Sequence, residues 1–192
     1  MVDHSFFTGL DYLLGMHLGL KTEKTGQVAC NVQGFLANTK LDVMFNGTPA
    51  HAGAKPEEGR NALLAAAAAA LNLHAIPRHS GGATRINVGL LSAGSARNVI
   101  PATAELKLET RGANDEINDF MIREARQVIN AAALMYGVDV KITAAGHVEG
   151  GCNSPKLANF LTEIAVFTGA FSQILPVCEF GASDDFTLFM NR

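Results

Sequence analysis

Apolar and polar positions set out a series of elements through the middle of the chain. From Thr39 to Phe45, Leu41, Val43 and Phe45 fall on one side and Lys40 and Asp42 on the other, the two-residue period of a half-buried strand. Asn46-Gly47-Thr48-Pro49 is a turn, and a loop continues through Gly53 and Pro56. A helix is expected to begin between Glu57 and Asn61, because Pro56 and two acids suit the free N–H groups and positive dipole end of a helix start. Its body is rich in alanine, the best helix former, and Pro77 is expected to end it. Thr84 to Leu91 reads as a second strand. Ser92-Ala93-Gly94-Ser95 is a turn, and Ala104, Leu106 and Leu108 mark the inward face of a third strand. Asn114 suits an N-cap, and Ile117, Phe120, Met121, Ala125, Val128, Ile129 and Ala132 keep helical spacing up to Gly137. Val138, Val140 and Ile142 alternate as a fourth strand.

The order β-α-β-β-α-β predicts an α+β, ferredoxin-like domain over 35–146: a four-stranded antiparallel sheet with two helices on one face. That fold hosts many functions and by itself names no chemistry. The flanks, 1–34 and 147–192, do not read as a domain of their own. The first holds one apolar run, Leu10 to Leu20. The second holds a helix over 154–170, with Ser154 as cap and Pro155 at its first position, and the start of another helix near the end. The expected arrangement is an inserted domain with segments of an α/β host on both sides, hence a piece of a longer protein.

Composition narrows the classes. With 48% hydrophobic and 17% charged residues, the 192-residue chain has the balance of a folded protein. A net charge of −3 without a basic run excludes a nucleic-acid footprint. No apolar stretch reaches the roughly 18 residues of a membrane span. Cys30, Cys152 and Cys178 are odd in number and widely spaced, which argues against a disulfide framework and fits a reducing, cytoplasmic location.

Candidate chemistry is dispersed. His17, in Gly15-Met16-His17-Leu18-Gly19, reads as a strand end facing a site or as a core histidine with a satisfied hydrogen bond. His51 lies among small residues, Pro49-Ala50-His51-Ala52-Gly53, which let a loop approach another surface; a solvated loop histidine fits equally. Asn98, in Ser95-Ala96-Arg97-Asn98-Val99-Ile100-Pro101, suits a turn cap or a ligand contact. Arg111 closes the third strand beside Gly112, as a surface charge or as a fork for a carboxylate. Asp184-Asp185 suit a metal or, preferably, the cap of the following helix, and Glu57-Glu58 are explained by a helix start. His4, His74, His79 and His147 have no useful partner spacing. On residues alone the catalytic set is incomplete.

Taken in order, Gly-Met-His-Leu-Gly, Pro-Ala-His-Ala-Gly with Gly59-Arg60-Asn61-Ala62, Arg97-Asn98-Val99-Ile100-Pro101, Thr110-Arg111-Gly112 and Ser183-Asp184-Asp185-Phe186 resemble the dinuclear zinc peptidases and amidohydrolases that include hippurate hydrolase, aminoacylase and aminobenzoyl-glutamate hydrolase. Ile76-Pro77-Arg78-His79 and the stretch from Arg85 to Pro101 draw it towards the aminobenzoyl-glutamate branch. The resemblance implies a catalytic domain with two divalent metal ions, Zn or Mn, and an inserted lid that forms a homodimer, with a second subunit also in view. It implies that His17 is a metal ligand, that His51 reaches into the partner's site to steady the oxyanion, and that Asn98 and Arg111 hold the substrate carboxylate. Arg111 lies thirteen positions after Asn98, so the loop before the third strand is expected to fold back towards Arg111. The remaining metal ligands and the general base are implied to come from outside this chain, leaving it inactive alone and holding no metal. Asp184 departs from the glutamate usual there. The implied reaction is hydrolysis of a small-molecule amide, aminobenzoyl-glutamate to p-aminobenzoate and glutamate. The alternatives are a general N-acyl-amino-acid hydrolase or, for this chain, a dimerisation module only.

Overall fold

A computed structural model describes residues 5–192. Contacts divide it into two units, 38–147 and the combined flanks 1–37 and 148–192, against boundaries of 35 and 146 read from the sequence.

The flanking unit is built on parallel pairing between its two halves. β1 (Gln27–Ala29) and β2 (Val32–Gln33) pair with β7 (Gln173–Leu175) and β8 (Cys178–Glu179) respectively. Parallel neighbours need a long crossover. The flank's α3 (Pro155–Thr168) precedes β7, capped by the Ser154 hydroxyl and ended at left-handed Gly169. Phe35 and Gly151 exchange backbone hydrogen bonds at 3.2 and 3.0 Å where the chain leaves this unit and returns. A short α4 (Thr187–Met190) lies near the end. The Leu10 to Leu20 run forms no strand, so the expected strand end at His17 is not found; Met16 and Leu18 are 83% and 89% exposed.

The central unit holds β3 (Ala37–Asn46), α1 (Ala62–Leu73), β4 (Thr84–Ala93), β5 (Thr103–Gly112), α2 (Asp115–Tyr136) and β6 (Asp139–Val148). The sheet order is β4-β5-β3-β6, the ferredoxin-like topology expected from the sequence. Leu41, Val43, Phe45, Ile86, Leu106 and Leu108 on the inner face pack against Ala65 and Ala69 of α1 and Met121, Ala125 and Ile129 of α2. Each large side chain so buried contributes about 1.5–3 kcal/mol. The buried Asn118 of α2 donates to Thr39 of β3 and accepts from Thr110 of β5, both at 2.9 Å, which fixes the helix over the sheet.

Helix α1 starts later than expected. Pro56–Glu58 form a separate 3-10 turn, and Arg60 is drawn into a bridge with Thr48, so helical geometry begins only at Ala62 under the Asn61 cap. It also ends at Leu73, before Pro77. β4 and β5 form a long antiparallel hairpin with one irregularity between Val88 and Leu90. Gly89 is the extra residue, a bulge that shifts the register by one.

Candidate functional site

The hairpin has two chemically different ends. At its loop end, the residues before β5 run beside the segment after β3. Ile100 N–H donates to Ala50 O at 2.9 Å, His51 bridges Val99, and Ala52 N–H donates to Asn98 O at 3.0 Å. Gly47 is required here, because a Cβ would sit 2.0 Å from Arg60 O. His51 Nδ1 accepts the backbone N–H groups of Gly53 and Ala54 at 3.2 and 3.1 Å. With Nδ1 accepting, the neutral ring carries its proton on Nε2, so exposed His51 offers a donor outward. Asn98 is exposed beside it in the ladder. This end presents hydrogen-bond donors.

At the other end, Arg78, Thr84, Arg85, Ile86, Asn87, Glu109 and Arg111 line a cleft of about 440 Å³. Odd-numbered residues of this part of the hairpin face away from the helices, and Arg85 stands directly opposite Arg111. Arg111 Nε and Nη2 reach the same oxygen, Glu109 Oε1, at 3.0 and 2.9 Å. Glu109 Oε2 accepts from buried Asn38 at 3.1 Å. The carboxylate thus holds one edge of the guanidinium and leaves the Nη1 side for a ligand. Arg78 Nη1 donates to Thr84 O at 3.1 Å. Gly112, next to Arg111, must lack a side chain, since a Cβ would lie 2.3 Å from Asn118 N.

Asn98 and Arg111 are therefore not brought together, contrary to the expected fold-back. Thr103 to Arg111 alone spans about 26 Å at strand rise. The loop instead folds onto residues 50–52, because its backbone groups are satisfied there.

In the flanking unit, His17 Nε2 lies 2.6 Å from Asp184 Oδ2, with its ring stacked on Phe180 at 5.7 Å. Asp184 Oδ1 also accepts Phe186 N–H at 2.8 Å, but α4 has Phe186 at its N-cap and no side-chain cap hydrogen bond, so the expected capping of this helix by Asp184-Asp185 is not found. A protein-bound zinc takes at least three protein ligands. Among the described residues no three His, Cys, Asp or Glu side chains gather, so these residues do not by themselves build a metal site. Of the other histidines, His4 lies outside the described residues, His74 caps the end of α1, His79 packs edge-on to Phe120, and His147 meets Thr39 at 3.0 Å.

Asn38 and Glu109 belong to no motif that marks them in the sequence, and Arg78, Arg85 and Asn87 stand out only within longer motifs. Glu109 and Arg111 share a strand face by period two, which was readable. Pairing Arg85 with Arg111 required knowing the bulge.

The central unit is an α+β layer with polar groups at both ends of one hairpin. The model of the peptidase dimerisation domain matches residues 36–136, and the chain belongs to this M20 peptidase family. It is 47% identical to a subunit of the p-aminobenzoyl-glutamate hydrolase of Escherichia coli K12 and 44% identical to indole-3-acetyl-aspartic acid hydrolase of Enterobacter agglomerans, each over all of this chain. The crystal structure of the aminobenzoyl-glutamate utilization protein from Klebsiella pneumoniae superposes with a TM-score of 0.81 at 44% identity, covering 91% of this chain. The chain spans 44% of the length of each of these relatives. Hydrolases of this family generally use metal ions.

Proposed function

We propose that this chain is the dimerisation lid, with flanking catalytic-domain segments, of a metal-dependent amidohydrolase that cleaves N-acyl amino acids, aminobenzoyl-glutamate first among them. The separation of donors from cations along one hairpin carries this reading. In an N-acyl amino acid only the amide nitrogen and Cα lie between the scissile carbonyl carbon and the carboxylate. One lid cannot place both His51 and Arg111 on such a molecule across about 26 Å or more of strand. Two lids in a homodimer can, with Arg111 from one and His51 from the other.

In that arrangement His51 donates from Nε2 to the oxygen that becomes charged at the carbonyl, while Arg111 clamps the free carboxylate. Asn98 goes with His51 rather than with Arg111, since their segments are laddered together. The β4 edge, with Leu90 and Leu91 exposed, supports self-association by edge pairing. His17 is assigned as one metal ligand beside Asp184; two Zn or Mn ions would need further ligands from the rest of the parent protein. This chain alone is therefore expected to be inactive. Three free cysteines favour a reducing, cytoplasmic setting, and no described helix is long and apolar enough to cross a membrane.

A substrate panel on the complete protein tests the reading. Aminobenzoyl-glutamate should outrank N-acyl-alanine and N-acyl-leucine. Equal rates across the panel would favour a general N-acyl-amino-acid hydrolase. Amidase activity from these 192 residues alone would overturn the partial-site reading.

A further inference from the structure

Asn38 breaks a local rule. It lies in β3 at 4% exposure, where asparagine is depleted and a buried amide is costly unless it is hydrogen-bonded. Its Nδ2 donates at 3.1 Å to Glu109 Oε2, on the neighbouring strand β5. Glu109 turns its other oxygen to Arg111: Oε1 accepts from Nε at 3.0 Å and from Nη2 at 2.9 Å. The contacts therefore run from a buried strand position to a guanidinium at the cleft. The fold has little need of them. Glu109 and Arg111 are two apart on one strand, so their pair joins no two elements. Asn38 and Glu109 do reach between strands, but the backbone ladder already joins β3 to β5. What the contacts fix is direction. A free arginine side chain has many rotamers; held along its Nε–Nη2 edge, it keeps its Nη1–Nη2 end for a bidentate fork.

We infer that Asn38 and Glu109 are positioning residues for Arg111: they hold its guanidinium in one orientation before substrate arrives, with the Nη1–Nη2 end open to a carboxylate. This rests on the reading that Arg111 clamps the substrate carboxylate. Glu109 acts on such a substrate in two opposed ways. Its charge repels the incoming carboxylate. Its grip removes rotamer freedom that Arg111 would otherwise lose on binding, and a sequence that buries an amide to steady Glu109 points to the grip as the selected effect. Glutamine at position 109 separates the two. Its Oε1 still accepts from Arg111, and its amide can donate to Asn38 Oδ1 once the Asn38 amide turns over, so the grip survives without the charge. Alanine removes both.

The test has a spectroscopic arm and a kinetic arm. In the 192-residue chain, the Nε–Hε proton of Arg111 should exchange with water at least about ten-fold more slowly than that of exposed Arg123. Asn38→Ala and Glu109→Ala should each remove most of this protection; the Glu109 side chain is partly exposed, so its variant keeps the test clear of misfolding. No protection in the wild type, or protection that survives Glu109→Ala, would overturn the brace. In the second arm, the complete enzyme is assayed with N-acyl-glutamate. Glu109→Ala should raise KM by about ten-fold and hold kcat within about two-fold, as expected when lost preorganisation weakens ground and transition states alike. Glu109→Gln should recover most of that loss. A KM for Glu109→Ala at or below that of the wild type would overturn the positioning role, because repulsion would then be the larger effect. With Arg111→Ala already present, Glu109→Ala should change KM by less than about two-fold; a full ten-fold rise there would show that Glu109 does not act through Arg111. If Arg111→Ala alone leaves KM unchanged while the Nε–Hε protection behaves as expected, the carboxylate reading fails and the brace stands.

Discussion

The two ends of the β4–β5 hairpin share strands, register and core, yet one gathers donors and the other gathers charge. At the loop end, His51 and Asn98 are exposed and their positions are set by backbone ladders. At the far end, Arg111 is pinned by Glu109, which is itself held by buried Asn38. Neutral donors suit a charge that exists only in a transition state; a braced guanidinium suits a charge already present in the substrate. Thr103 to Arg111 alone keeps the two groups apart by about 26 Å at strand rise.

The largest expected effect is at the cation end of the complete enzyme. Arg111→Ala should cost about 2–5 kcal/mol of binding to a desolvated carboxylate, or roughly 30-fold to several thousand-fold in kcat/KM. An amide analogue lacking that carboxylate should lose far less, and equal losses would erase the distinction between the ends. Next, His51→Ala should lower kcat by about 100- to 1,000-fold with a smaller change in KM, as expected when one oxyanion donor is removed. A rise in KM at constant kcat would instead assign His51 to substrate binding. Gly112→Ala should drive a Cβ against the α2 backbone and lower stability by about 1–3 kcal/mol, read as a fall in thermal midpoint. The smallest effect is expected from Lys107→Ala, midway between the ends on the same face. Lys107 has its pKa raised by the hydrogen bond and charge of Glu105, but it is exposed, so kcat/KM should change by about two-fold at most.

Most of this hairpin's surroundings were legible in the sequence. The alternation of Leu41, Val43 and Phe45 and the spacing of Met121, Ala125 and Ile129 gave the core, because each residue's face follows from a fixed local period. Asn114 was identifiable as a cap because its side chain meets Ile117 N–H only three residues away. The start of α1 was not readable: Thr48 captures Arg60 through a tertiary bridge, which outweighs the helix-start pattern of Pro56 and Glu57. The individual site residues His17, His51, Asn98 and Arg111 were singled out by motif. Their grouping was hidden, since it depends on where the loop before β5 lands and on a one-residue bulge at Gly89. In the flanks, the exposed Leu10 to Leu20 run has no regular period, so the sequence offered no geometry for His17.

The division of labour between the two ends is tested most directly by mixing variants of the complete protein. One carries His51→Ala; the other keeps His51 and is disabled in its own catalytic centre. Each should be nearly inactive alone. In a mixed dimer, the first variant's intact centre receives His51 from the second, so activity should return to about one half of wild type per mixed dimer, with one of two sites complete, or about one quarter for a statistical equimolar mixture. Mixed dimers that form, as shown by mass, yet recover no activity would contradict the account, because His51 would then serve the subunit that carries it.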